Sequence, residues 1–131
     1  MLLSLCGAGL TLGACSASDG RARAVTTVER FYDAIRGGRG EDACSLLSAP
    51  AFEQIESQSG QPCRDVIARL RYGGGTIVDA EVFVTNAKVD MLGGESAFLS
   101  QEPAGWKLTA VGCRAEAGKP RDHPLDCELK A

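Results

Sequence analysis

Apolar residues recur with a helical period in the first half of the chain. In residues 24–36 they form one stripe of a helix, and Gly37-Gly38 follows as a stop signal. Three shorter segments keep the same period, and they lie at residues 42–47, from Pro50 to Ser59, and from Pro62 to Leu70. Tyr72 and the run Gly73-Gly74-Gly75 then interrupt the pattern. The first half therefore predicts a series of helices.

The period changes to two after this glycine run. Phe83 is expected on the opposite face from the apolar positions that alternate around it, which are Val78, Ala80, Val82 and Val84. The phase slips near Asn86, which indicates a bulge or a tight turn before the alternation resumes. Turn signals at Gly93-Gly94 and Pro103-Ala104-Gly105 delimit two further strands, 95–101 and 106–111. Helices followed by an antiparallel meander predict an α+β fold with a sheet of about four strands.

The N-terminus carries an uncharged apolar run at residues 2–14. It is too short to span a bilayer and has the length of an export-signal core. The run ends in Leu12-Gly13-Ala14-Cys15, which resembles the lipobox of bacterial lipoproteins. The resemblance implies cleavage before Cys15, a diacylglyceryl (palmitate-bearing) group on its sulfur, and attachment to the extracytoplasmic face of the cell membrane.

Two observations keep alternatives open at this end of the chain. No Lys or Arg precedes Arg21, whereas an export signal usually begins with positive charge, which indicates that translation starts further upstream or that the first residues are missing from this sequence. A buried helix over residues 2–14 is the competing interpretation. Cys6 follows Leu5 instead of a small residue and is the weaker cleavage site. We expect residues 1–14 to be the signal, residues 15–23 a polar flexible tether, and residues 24–131 a single domain.

The cysteine count changes once the signal is removed. With Cys15 assigned to the lipid, four cysteines remain, and they are Cys44, Cys63, Cys113 and Cys127. An even number in an exported chain predicts disulfides, and these cysteines allow three connectivities. Pairing between sequence neighbours, Cys44 with Cys63 and Cys113 with Cys127, is the expected one. The chain has no Cys-x-x-Cys, so the usual zinc ligands and redox pairs are not predicted.

Four local strings resemble a group of small actinobacterial lipoproteins in the nuclear transport factor 2-like superfamily. They are RFYDAI at 30–35, EDACSLLSAP at 41–50, SAFLSQEPAGWKL at 96–108, and VGC at 111–113 with DC at 126–127. The resemblance implies a cone-shaped fold, in which the sheet curves around the first helix and leaves a pocket at its wide end. The candidates for lining that pocket are Tyr32, Asp33, Phe98 and Trp106. Trp106 is expected to pack beneath the cone with Phe98, and the alternative is that the aromatic residues are simply core.

Charge and residue types restrict the function. The chain has 14 basic and 17 acidic side chains and only 5% aromatic residues, which argues against nucleic acid as a partner. Enzymes of the superfamily hold an Asp or His base inside the cone, but His123 is expected in a solvated, proline-bounded tail loop. Asp33 is expected to reach solvent or to pair with Arg36 or Arg30, and Asp79 lies on a polar strand face. We therefore predict no catalytic residue, metal site or cofactor.

These observations favour a lipid-anchored envelope protein that acts as a non-enzymatic binding or interaction module. Its partner would be another envelope protein or a small apolar ligand. The alternative is an isomerase, cyclase or dehydratase that acts on a small apolar substrate in the cone pocket. A third hypothesis is a homodimer formed through the open face of the sheet.

Overall fold

The computed structural model describes residues 15–115, 118 and 125–131. The signal assigned to residues 1–14, and His123 in the tail, lie outside these described residues. The first half of the described chain is helical, and its helices are α1 (Cys15–Arg36), α2 (Gly40–Ser45), α3 (Ala49–Ser59) and α4 (Cys63–Val66), the last followed by a 3₁₀ turn at Ile67–Arg69. Among the described helices, none is both long enough and apolar enough to cross a bilayer.

Helix α1 begins earlier than the apolar stripe predicts. Residues 15–23 are part of the helix and not a flexible tether. Asp19 pairs with Arg23 one helical turn later, at 3.1 Å, and Arg21 pairs with Asp79 of the sheet at 3.0 Å. A Cβ atom at Gly20 would lie 4.0 Å from the indole ring of Trp106, so this turn of the helix packs on the domain. These contacts explain why the polar sequence is ordered.

Helix α3 matches its predicted extent, whereas α2 lies two residues earlier than the predicted 42–47. Ser48 caps α3 with its side chain, which accepts a hydrogen bond from the Ala51 N–H at 3.3 Å, and Gly60 ends α3 in the left-handed conformation. The predicted disulfide Cys44–Cys63 joins α2 to α4. Gly40 lies against the Arg64 carbonyl, where a Cβ atom would overlap the backbone. Glycine at this position therefore lets the two disulfide-linked helices pack closely.

The second half forms an open antiparallel sheet with strand order β1-β2-β3-β4-β5. Its strands are β1 (Ile77–Phe83), β2 (Asn86–Met91), β3 (Ser96–Glu102), β4 (Gly105–Cys113) and β5 (Leu129–Lys130). The sheet thus has five strands and not about four. The extra strand is a two-residue segment of the C-terminal tail, held beside β4 by the predicted disulfide Cys113–Cys127. So short a strand has no alternation to reveal it.

Strand β1 differs in part from its predicted pattern. The change of phase near Asn86 is produced by a tight turn between β1 and β2. A tight turn was one of the two expected causes, and a bulge was the other. Val78 and Val84, predicted to face inward with Ala80, are 58% and 91% exposed. The register shifts between Ile77 and Asp79, which turns Val78 outward, and Val84 belongs to the turn.

The core lies between α1 and the sheet, and the short helices extend it. Its largest fully buried side chains are Phe31, Ile67, Leu99, Leu108 and Glu95. The segment between α2 and α3 pairs with β4 and so extends the sheet. The backbone N–H of Ser48 donates to the Leu108 carbonyl at 2.8 Å, and the Leu108 N–H donates to the Leu46 carbonyl at 2.9 Å. This pairing covers the part of β4 that β5 does not reach.

Candidate functional site

A buried carboxylate lies where the C-terminal half of α1 meets the turn between β2 and β3. Glu95 is only 1% exposed. It accepts hydrogen bonds from the Tyr32 hydroxyl and the Gly73 N–H, and the Arg114 guanidinium pairs with it at 3.0 Å. Three donors from distant parts of the chain therefore compensate the cost of burying this group.

Two tyrosines and a phenylalanine pack around this carboxylate. Phe31 contacts Tyr32 and Tyr72 edge to face, with ring centroids 5.4 and 5.5 Å apart, and the two tyrosine rings are 5.9 Å apart. Burial raises the pKa of Tyr32 above its ordinary value, and the hydrogen bond to Glu95 raises it further. Burial also raises the pKa of Tyr72, with the negative charges of Glu128 and Glu95 adding to it. The Tyr72 hydroxyl is buried without a hydrogen-bond partner among the described residues.

The glycine run at residues 73–75 passes directly over this cluster. The backbone N–H of Gly73 donates to the Glu95 carboxylate. Gly74 has a φ of +52°, and a Cβ atom at this position would lie 2.9 Å from the Tyr32 ring. A side chain at Gly74 would therefore strain the backbone and push on the tyrosine. The carboxylate of Glu95 is enclosed by its own donors, so the cluster is a structural junction.

Sequence reasoning missed Glu95 and Arg114, which together form the only described ion pair with a fully buried carboxylate. Glu95 follows Gly93-Gly94, and a charged residue directly after a hairpin turn is ordinarily solvated. The available signal was the glycine run, since three successive glycines indicate a close backbone approach. That signal marks the loop but does not identify the carboxylate it covers.

The four residues expected to line a pocket lie in different environments. Tyr32 is in the core. Asp33 is exposed and pairs with Arg36, in agreement with the expectation that it reaches solvent or forms an ion pair along the helix. Trp106 is 6% exposed and faces the helices beside Leu108. Phe98 lies between the buried Ala97 and Leu99 on β3 and therefore faces away from the helices. The expected packing of Trp106 with Phe98 is wrong, because the two lie on opposite faces of the sheet.

Phe98 lines a groove of about 360 Å³ on the outer face of the sheet. Ala110 forms part of its floor, and the tail residues Leu125 and Cys127 form one wall.

The remaining candidate base, Asp79, is solvent-exposed and held by Arg21. Both sequence-predicted carboxylates are therefore outside the core. The space between α1 and the sheet, where the cone-pocket alternative expects a substrate, is filled by buried side chains of which Val28, Phe31, Leu99 and Leu108 are the most central.

A larger surface cavity, the helical groove, lies between α2, α3 and α4. It has a volume of about 570 Å³, and its floor contains the Cys44–Cys63 disulfide. Apolar side chains continue that floor, namely Leu47, Ala49, Phe52 and Pro62. Phe52 is only half-buried, so part of its ring is available to a bound molecule.

The rim of the helical groove is acidic. Its carboxylates come from α2, α3 and the end of β3, and they are Glu41, Glu53, Glu56 and Glu102, while Arg64 is the one basic residue in the lining. Glu56 is partly committed to the fold, because it accepts a hydrogen bond from the Cys63 N–H at 3.1 Å. An apolar floor within a mostly negative rim suits a ligand that combines apolar surface with positive charge.

The described residues contain no group of His, Cys, Asp and Glu side chains placed to hold a metal ion. Comparison with protein-family models, with curated proteins and with solved structures returned no match.

Proposed function

We propose that the protein is a lipid-anchored lipoprotein of the cell envelope and that it acts as a non-enzymatic binding module through its helical groove. The lipid would be carried by Cys15 and would hold the domain on the extracytoplasmic face of the membrane. The observation that carries the binding role is the helical groove itself, whose apolar floor over Cys44–Cys63 is surrounded by four glutamates.

Export is supported by the cysteine chemistry. Two disulfides link neighbouring segments of a small domain, and such bonds persist in oxidising compartments outside the cytosol. The lipobox-like Leu12-Gly13-Ala14-Cys15 lies directly before this domain. Disulfides and a lipid acceptor cysteine both fit the same side of the membrane.

Membership of the nuclear transport factor 2-like superfamily is part of the proposal. It is supported by the element order, in which one long helix and several short helices precede an antiparallel meander. The contacts of α1 with Trp106 on β4 and with Asp79 on β1 also fit a sheet that curves around this helix. The fold is consistent with the superfamily but does not identify a ligand.

We propose a cationic, partly apolar segment of another envelope protein as the occupant of the helical groove. Apolar side chains would cover Phe52 and the disulfide, and Lys or Arg side chains would approach Glu41 and Glu53 on the rim. Catalysis is not proposed, because Glu95 is enclosed by its donors while Asp33 and Asp79 are exposed and ion-paired.

The anchor is tested with Cys15→Ser. The wild-type chain should fractionate with membranes and carry the mass of a lipid, and Cys15→Ser should lose both properties. An unchanged membrane fraction for Cys15→Ser would reject the anchor.

The binding role is tested on the soluble Cys15→Ser chain purified from its own host. Native mass spectrometry should detect a retained protein partner, and a double variant with Glu41→Lys and Glu53→Lys should lose it because the rim charge is reversed. Glu81→Lys is the matched control, since Glu81 is exposed on β1 and outside the helical groove. Equal partner retention by the double variant and the control, with equal melting temperatures, would reject the groove as the binding site.

A further inference from the structure

The first turns of α1 lie at the same end of the domain as the turn between β1 and β2. Gly20 packs against Trp106 at the start of β4, and Trp106 pairs with Gln101 near the end of β3. The Gln101 N–H in turn donates to the Thr85 carbonyl in the β1–β2 turn, at 2.7 Å. Cys15 is five residues before Gly20, which corresponds to ~8 Å of helix. A lipid on Cys15 would therefore lie close to this turn.

The β1–β2 turn presents apolar side chains to solvent. Phe83 is 55% exposed and Val84 is 91% exposed, and the two are adjacent in the chain. Val84 also has a φ of +56°, a conformation that β-branched residues rarely adopt and that Gly or Asn would occupy at lower cost. The exposed surface of these two side chains gains nothing from burial in the folded domain, and the backbone of Val84 is strained as well.

Three basic side chains near this end have partners. Arg21 is joined to Asp79 and Arg23 to Asp19, and the Lys107 ammonium donates to the Ser45 carbonyl at 2.7 Å. Among the described residues, Arg21, Arg23 and Lys107 therefore do not form an unpaired basic patch beside the apolar turn. A surface that meets it has to offer apolar contact more than electrostatic attraction.

From this arrangement we propose that Phe83 and Val84 insert into the interfacial region of the lipid bilayer and form a second, non-covalent contact between the domain and the membrane. The proposal rests on the proposed lipid at Cys15, which places the bilayer at this end of the molecule. The diacylglyceryl group on Cys15 already supplies two acyl chains for retention, so the second apolar contact serves mainly to fix the orientation of the domain. The opposite end of the sheet, with Glu95 and the β2–β3 turn, then points away from the membrane.

Leu92 supplies a matched control for this orientation. It is also a large apolar side chain, 71% exposed, and it lies directly after β2 in the β2–β3 turn. Successive turns of a meander alternate between the two ends of the sheet, so Leu92 is at the far end from Val84. Single exposed apolar residues are common, and Leu92 has no apolar neighbour comparable to Phe83.

The test measures the depth of a tryptophan placed at each site in the lipidated full chain. Val84→Trp and Leu92→Trp are each reconstituted into phosphatidylcholine vesicles with brominated acyl chains, which quench tryptophan by contact. The emission of the single native Trp106 is subtracted using the unsubstituted chain in the same vesicles. Phe83→Trp is the second variant at the insertion site, in case Val84→Trp disturbs the turn.

The expected result is that the Val84→Trp emission falls about twofold or more and is insensitive to salt, while the Leu92→Trp emission is unchanged. If the chains float with the vesicles but neither Val84→Trp nor Phe83→Trp is quenched more than Leu92→Trp, the insertion is rejected and the anchor stands. If the chains carry no lipid and do not float, the anchor is rejected and the insertion with it.

Discussion

The hydroxyl of Tyr32 in α1 donates a hydrogen bond to the buried carboxylate of Glu95, 63 positions later in the chain. This contact connects the helical half to the sheet half at the end of the molecule that lies far from Cys15. Gly73 and Arg114 complete the shell around the same carboxylate. The stability of the junction between the two halves therefore depends on a small number of polar contacts that can be tested one at a time.

Replacing the two tyrosines should have unequal effects. Tyr32→Phe removes a donor from the buried Glu95 carboxylate and should lower the free energy of unfolding by about 1–3 kcal/mol. Tyr72→Phe should be neutral or slightly stabilising, because its buried hydroxyl lacks a hydrogen-bond partner among the described residues. Chemical denaturation of both variants measures the difference. Equal losses would contradict the assignment of the Tyr32 contact as the stabilising one.

Stability should fall at alkaline pH. Burial raises the pKa of Tyr32 and Tyr72 in the folded chain. Above the ordinary tyrosine pKa the unfolded chain loses phenol protons that the folded chain keeps, so raising the pH favours unfolding. The loss attributable to Tyr32 is about 1.4 kcal/mol per pH unit above pH ~10, and none is expected below it.

The alkaline prediction has a direct optical test. The protein has 2 tyrosines, so the phenolate absorbance reports on this cluster alone. Phenolate should appear together with the loss of circular dichroism. Ionisation of either tyrosine near its ordinary pKa in a still-folded chain would contradict the burial argument.

Gly74→Ala should destabilise the domain more than Gly38→Ala. Both glycines have a left-handed backbone, with φ of +52° and +67°, so both substitutions carry the same conformational cost of about 1–2 kcal/mol. A Cβ atom at Gly74 also meets the Tyr32 ring at 2.9 Å, whereas the space around Gly38 is open. Thermal unfolding of the pair isolates the contact, and identical melting temperatures would show that Tyr32 moves aside freely.

Reduction should lower the melting temperature. In chain-entropy models, each disulfide adds ~3 kcal/mol to the free energy of unfolding because it closes a loop in the unfolded chain. This is a large share of the net stability of a small domain. The variant with Cys44→Ala and Cys63→Ala should unfold about 10 °C or more below the oxidised parent. The positions 44, 63, 113 and 127 should yield no free thiol when the unreduced protein is unfolded and titrated.

The features that the sequence predicts best depend on local or short-range relationships. Pro50 and Ser59 delimit the third helical segment by their effects on neighbouring backbone groups, and the structure confirms this segment as α3. The cysteine pairs join residues only 19 and 14 positions apart, and both are present as expected. Such features need little information from distant parts of the chain.

The features that escaped prediction depend on contacts between distant residues. Residues 15–23 are polar, and their helical state is explained by Arg21 reaching Asp79 and by Gly20 meeting Trp106. The burial of Glu95 depends on Tyr32 and Arg114, and the outward direction of Val78 depends on a register shift against β2. No periodicity in one segment contains this information.

The continuity of α1 limits how far the domain can travel. The helix spans 22 residues, ~33 Å, and it already includes Cys15, so a lipid at that position would leave almost no slack between bilayer and domain. The protein would then sample only a thin layer of the extracytoplasmic space. On the proposed function, a protein bound by it would have to approach to within one domain height of the bilayer, which favours partners that are themselves held at the membrane.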